Sequence, residues 1–237
     1  MKALFLLVLL NLMSLSSQAM TPFEQHFQAV TQGMSAFYMY ALSKGDDKFL
    51  QEFNQFNELA STSLAQSKLE VDLTLAKRWQ KLLPTLKFEM DEEAGLSYGG
   101  SERHQYRIYV VDLYLRYEQQ FTSQNKVTIM FERIQLFNSL LSARALDVAS
   151  SLWGARAFTD HDRMLDQKKV ALQIEQGIKE LMSEKLSASQ KSALRKVSSK
   201  FQFMKKSLVD YQAETAYFLM YRNVMSINKL MSNNQAL

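Results

Sequence analysis

Cysteine is absent from this 237-residue chain. That excludes disulfides, thiol catalysis and thiolate metal sites, and it leaves no cysteine for a lipid anchor. Glycine and proline are scarce, at 7 and 2 in the whole chain. Sheets and loop-rich folds draw on those residues for their turns. Their scarcity predicts long helices with few connections, an all-α fold. Histidine is also rare, and His26, His104 and His161 stand far apart. Nucleophile–base pairs are hard to assemble from that inventory. No Gly-x-Ser-x-Gly elbow, His-Glu-x-x-His motif, phosphate loop or dinucleotide fingerprint occurs. The reading is not an enzyme, with no cofactor. The net charge is only +4, which argues against nucleic acid, since that partner asks for a concentrated basic face.

Long apolar runs are missing as well. The longest feature of this kind, Ala3 to Leu10 (ALFLLVLL), follows Lys2 and precedes a polar stretch ending in Ser17-Gln18-Ala19. A bilayer-spanning helix needs about 20 apolar residues. A positive start, a short apolar core and small residues at −3 and −1 instead spell a signal peptide. Residues 1–19 are read as the leader, cleaved after Ala19, and residues 20–237 as one exported helical domain with no stable membrane anchor. A chain of this size can bury a core without disulfides, which suits the periplasm of a double-membraned bacterium.

What is present is helical punctuation. Thr21-Pro22-Phe23-Glu24 is a capping box with proline in the first turn. It predicts a helix to about Leu42, stopped by Ser43-Lys44-Gly45. Asp46 or Asp47 caps the next helix, with Phe49, Phe53, Phe56, Ala60 and Leu64 on one face and Leu69, Leu73, Ala76, Leu83 and Leu86 continuing it. Pro84 kinks or ends that arm. Glu89 to Glu93 and Tyr98-Gly99-Gly100 form a connection. Ser101 opens a third arm striped by Tyr106, Val110, Leu113 and Tyr117, then Ile134, Phe137, Leu141 and Leu152, with a bend at Thr122 to Lys126. Thr159-Asp160 starts a helix to about Leu186, and Ser187 with Gln190 repeats the capping box before a final striped region to Met231. The expected fold is an elongated, antiparallel, up-down four-helix bundle with long, kinked arms.

Several patterns have a chemical and an ordinary reading. Asp160-His161-Asp162 brings two carboxylates to an imidazole, but consecutive helix residues point apart, and acid at a helix start is capping; no metal is assigned. The 13 methionines form no Met-x-x-Met cluster and read as adaptable core. Asp112 with Arg116, and Arg144 with Asp147, have the spacing of ion pairs along one helix. Tyr109 and Tyr114 fall off the main stripe of the third arm and are candidates for a partner surface. Leu186-Ser187-Ala188-Ser189-Gln190 resembles the Leu-Thr-x-x-Gln signature of small periplasmic stress chaperones. It occurs once where that family repeats it, and it also reads as a capped helix start.

Ile134 to Ala149 (IQLFNSLLSARALDVA) and Lys200 to Leu230 (KFQFMKKSLVDYQAETAYFLMYRNVMSINKL) resemble the N-terminal sensory bundle of type IV pilus chemotaxis-like transducers. Those bundles are similar in design to the nitrate-sensing domains of histidine kinases. The resemblance implies an all-helical input module whose ligand sits between helices and shifts their packing. Oxyanion sensors of this kind carry arginines on their first helix. Here Thr21 to Leu42 holds no Lys or Arg, so a small anionic ligand falls instead to Arg107, Arg144 or Arg222. The leading reading is a non-enzymatic periplasmic protein that binds a ligand or a protein partner, such as a membrane-bound transducer, in envelope sensing. The alternative is an immunity or inhibitor protein that neutralises a toxin or enzyme, and a chaperone-like holdase comes third.

Overall fold

The computed structural model describes residues 20–65, 67, 69–86, 90–91, 95–96, 100–120, 126–151, 154–211 and 216–235. The leader and its cleavage site, Glu89, Tyr98, the bend at 122–125, Leu152 and Trp153 lie outside them. Among the described residues the chain is helical, as its composition predicts. The helices are α1 (Pro22–Leu42), α2 (Asp47–Ala65), α3 (Glu70–Leu82), α4 (Gly100–Gln120), α5 (Lys126–Ala149), the single turn α6 (Asp160–Arg163), α7 (Gln167–Ser183), α8 (Ala188–Val209) and α9 (Tyr217–Gln235). Single 3-10 turns occupy Leu83–Thr85 and Gly154–Ala157, and a two-residue antiparallel ladder pairs Met90 with Leu96 and Asp91 with Gly95. No helix of the described residues is long and apolar enough to cross a membrane.

The expected starts and stops are met where local chemistry dictates them. Thr21, Thr159 and Ser187 each complete a capping box, with Glu24, Asp162 and Gln190. Lys44 and Gly45 take positive φ, 59° and 91°, to end α1. Asp46 accepts from the Lys48 N–H at 3.0 Å to open α2. Pro84 sits in the 3-10 turn that closes α3.

The four arms do not form as single rods. Among the described residues there are eight helices of 13 residues or more, because three of the five helical stretches read from the sequence, the second, the third and the last, each hold two helices. In α2 and α3, the Trp79 indole donates to Ser61 at 3.2 Å. In α4 and α5, Arg133 meets Glu118 at one end and Arg103 meets Asp147 at the other. The longest helix, α5, spans 24 residues, about 36 Å. The break before α3 also resets the helical phase. Leu69 and Leu73 are exposed, while Asp72, Leu75 and Trp79 face inward.

Helices α1 and α5 form the centre. They run in the same direction, with Ser35 donating to Ser142 at 3.4 Å, and both are buried around most of their circumference. A helix buried on every side can carry little charge, which accounts for the missing Lys and Arg of α1. Antiparallel neighbours then wrap the pair. Helix α2 lies along α1, close enough at Gly33 that a Cβ there would meet Asn57 Oδ1 at 3.2 Å. Helices α7, α8 and α9 close a ring with α5. A polar seam sets the register of α5 on α9. Gln135 donates to the Asn228 carbonyl at 2.9 Å, Asn138 to the Asn228 amide oxygen at 3.2 Å, and Asn228 to Ser139 at 2.7 Å. Hydrogen bonds between buried polar groups of this kind favour one packing over slipped alternatives, although Asn138 Oδ1 has no partner among the described residues.

Candidate functional site

Five charged side chains meet in the core where α4, α5 and the Thr159 turn converge. Arg103 and Arg107 lie one turn apart on α4, Arg144 and Asp147 one turn apart on α5, and Asp162 closes the α6 capping box. Arg107, Arg144, Asp147 and Asp162 are all under 5% exposed. Arg103 donates from Nε to Asp147 Oδ1 at 2.6 Å and from Nη2 to Ser150 Oγ at 2.7 Å. Arg107 bridges the two carboxylates, 3.7 Å from Asp147 Oδ2 and 3.3 Å from Asp162 Oδ1. Arg144 donates to the Asp162 carbonyl at 2.7 Å and reaches its Oδ1 at 3.4 Å.

Phe158 covers the cluster. The Arg144 guanidinium stands 3.7 Å from its ring centroid and that of Arg107 5.7 Å, within cation–π range. Arg103 lies in the same way over Tyr38, at 4.7 Å. Burial raises the Asp162 carboxyl's pKa, but the Thr159 N–H at 2.8 Å and the Arg144 and Arg107 charges outweigh it and hold the group below the usual range. Guanidinium does not deprotonate in proteins. Three fixed cations therefore stand around two carboxylates, Asp147 and Asp162, in the core. Arg144 Nε and Asp147 Oδ2 also lack a hydrogen bond among the described residues.

Two of the three arginines named from sequence, Arg107 and Arg144, are thus brought together. Arg222 is not among them: it is exposed on α9 beside the Phe218 ring. Tyr109 and Tyr114 are not a surface. Both are almost fully buried, because α4 is sandwiched among α1, α3 and α5 and has little free side. The ion pairs expected along single helices are replaced by pairs between helices. Asp112 meets Arg78 at 2.7 Å, Arg116 meets Asp72, and Arg144 meets Asp162. Residues 160–162 do point apart. Asp160 is solvent-facing, His161 lies 3.0 Å from Asp112, and Asp162 turns inward. Among the described residues no group of three metal-ligating side chains converges.

A second buried polar centre is uncharged. His26 is fully buried on α1, with Nδ1 2.7 Å from the Ala60 carbonyl and Nε2 2.6 Å from the Tyr109 hydroxyl. The Tyr109 hydroxyl also lies 3.2 Å from the Leu75 carbonyl. Trp79 stacks on Tyr109 at 5.5 Å and meets the His26 ring edge-on at 5.8 Å. A carbonyl only accepts, so Nδ1 carries the proton and neutral Nε2 accepts from the phenol. Burial pushes the His26 pKa down to about 4 and that of the Tyr109 phenol up.

The cluster residues that the sequence does not single out are Arg103 and Phe158, while Asp147 is read there as the along-helix partner of Arg144 and Asp162 as part of a helix cap. One signal for them was present. Arg144 and Asp147 interrupt an otherwise apolar stretch, and charge inside such a stretch implies a buried partner. Comparison with protein-family models, with curated proteins and with solved structures gives no match.

Proposed function

We propose that this chain is an exported, non-catalytic binding module of envelope sensing, whose input is a small anion at the Arg103–Arg107–Arg144 cluster. The observation that carries this reading is the convergence of three guanidiniums from α4 and α5 on one buried place in the core. Guanidiniums gathered in the core repel one another, and an anion entering beneath Phe158 would offset that repulsion. Planar guanidinium forks suit carboxylate, nitrate or phosphate geometry.

The response follows from what the cluster joins. Arg103 and Arg107 belong to α4, Arg144 and Asp147 to α5, and Asp162 to the turn after α5. An anion that draws the guanidiniums away from Asp147 and Asp162 would change how the α4–α5 hairpin seats on α1. A ligand shifts such an equilibrium only through its different affinity for the two packings. A membrane-bound transducer is the partner class that could read the change.

The test is a thermal-shift screen of the mature chain with nitrate, sulfate, phosphate, acetate and chloride, alongside Arg144→Met. One anion should raise the wild-type melting temperature and leave the variant unmoved. No shift with any anion, or equal shifts in both proteins, would sink the anion reading. Affinity capture from periplasmic extract addresses the partner, and recovery of a toxin instead of a transducer would favour the inhibitor alternative.

A further inference from the structure

We propose that a pocket between α3 and α4, separate from the arginine cluster, binds a small organic anion with a short apolar body. The pocket encloses about 260 Å³ and is lined by Arg78, Lys81, Leu82, Thr85, Gln105 and Tyr109. Drug-sized sites begin near roughly 300 Å³, so this one suits a fragment-sized molecule. Helical spacing builds it. Arg78, Lys81, Leu82 and Thr85 follow one face of α3 and its 3-10 turn, while Gln105 and Tyr109 lie one turn apart on α4.

The chemistry of the walls selects the ligand. Among the described residues Lys81 has no acidic partner and no carboxylate lines the pocket. Arg78 and the Gln105 amide add donors. Leu82 and the Tyr109 ring supply an apolar wall, with the Arg78 guanidinium 5.4 Å from that ring's centroid. Two cations and an amide beside an aliphatic and an aromatic side chain fit a carboxylate on a compact hydrocarbon. Arg78 is currently bonded to Asp112 at 2.7 Å, outside the pocket lining, so the ligand's carboxylate competes with Asp112 for it.

Trp79 reports occupancy because it stacks on Tyr109. The other tryptophan, Trp153, is removed as Trp153→Phe so that the signal comes from Trp79. Titration of this protein with benzoate should give a saturable fluorescence change. Exposed Lys81→Met should weaken it by about tenfold or more, and benzamide, neutral and of the same shape, should bind far more weakly. Asp112→Asn, which frees Arg78, should tighten benzoate binding.

Four results would overturn the proposal: no saturable change up to about 20 mM benzoate, an affinity weaker than almost any useful site; equal affinity for benzamide; an unchanged affinity in Lys81→Met; or a response to inorganic phosphate or a poly-glutamate peptide without one to benzoate. Asp112→Asn binding no tighter than the parent would overturn the assignment of Arg78 to the ligand. Arg144→Met leaves this pocket intact, so benzoate binding there is independent of the anion reading above.

Discussion

The His26 junction and the arginine cluster are both sealed in the core, yet they solve burial in opposite ways. At His26 burial keeps the imidazole neutral, and the Ala60 carbonyl and the Tyr109 phenol absorb its hydrogen-bonding capacity. At the arginine cluster neutrality is out of reach, so charge is met by charge and by aromatic faces. The first arrangement ties α1 to α2, α3 and α4 and is suited to holding them still. The second gathers like charges from two helices and is suited to being altered. Protonation sharpens the contrast. Cationic His26 would donate to Tyr109, freeing the phenol proton for Leu75, so every contact there would gain its own proton while the desolvation cost rose.

The largest test of the comparison is to remove a carboxylate. Asp162→Ala removes the carboxylate that Arg107 and Arg144 share, and urea unfolding should show a loss of about 3–5 kcal/mol, the range for breaking a buried ion pair. Acid is next. The unfolded histidine takes up a proton below its ordinary 6.5, but folded His26 does so only near 4. Its contribution to stability is therefore complete above 6.5, falls by about 3 kcal/mol as pH drops to 4, and is flat below. His26→Gln should flatten that slope in pH-dependent urea unfolding. Asp162, with its lowered pKa, adds a loss at lower pH still.

Alkali should act on a third buried group. Burial, with the nearby Glu24 charge, pushes Glu132 up to about 8. The unfolded carboxyl ionises above 4.5 while the folded one resists, so stability falls as pH rises from 4.5 to 8. Glu132→Gln should melt higher than wild type at pH 9 and lose that advantage at pH 5. Smaller again is Tyr109→Phe, which deletes one hydroxyl from the neutral junction and should cost about 1–2 kcal/mol. Smallest is Arg222→Ala. This exposed residue should change stability by less than about 0.5 kcal/mol and leave anion shifts intact.

Local chemistry made much of the fold legible. The boxes at Thr21 and Ser187, the stop at Gly45 and the Phe49–Phe53–Ala60–Leu64 face all act within a turn or two, where spacing is decisive. Decisions between helices were not legible. Leu69 and Leu73 keep helical spacing from α2, yet a break of a few residues before α3 rotates them to solvent. Asp112 sits four residues from Arg116, but α3 offers Arg78 and Asp72, and the pairs form across helices instead. The same limit applies to the site. Arg107 and Arg144 were identifiable as candidates, whereas their convergence with Arg103, Asp147 and Asp162 depends on the α4–α5 hairpin. Tyr109 and Tyr114 looked peripheral because one stripe was taken as the buried face of a helix that in fact has neighbours on three sides.

The parallel α1–α5 pair has a consequence for synthesis. About a hundred residues separate Ser35 from Ser142, its contact across the centre, so the side of α1 that faces α5 waits for the middle of the chain before it can be covered. Long-range closure of this kind slows folding and leaves apolar surface open meanwhile. A nascent chain stalled before residue 126 would hold α1 against α2 and α4 but leave its α5-facing side open, the surface on which holding factors or self-association would act first.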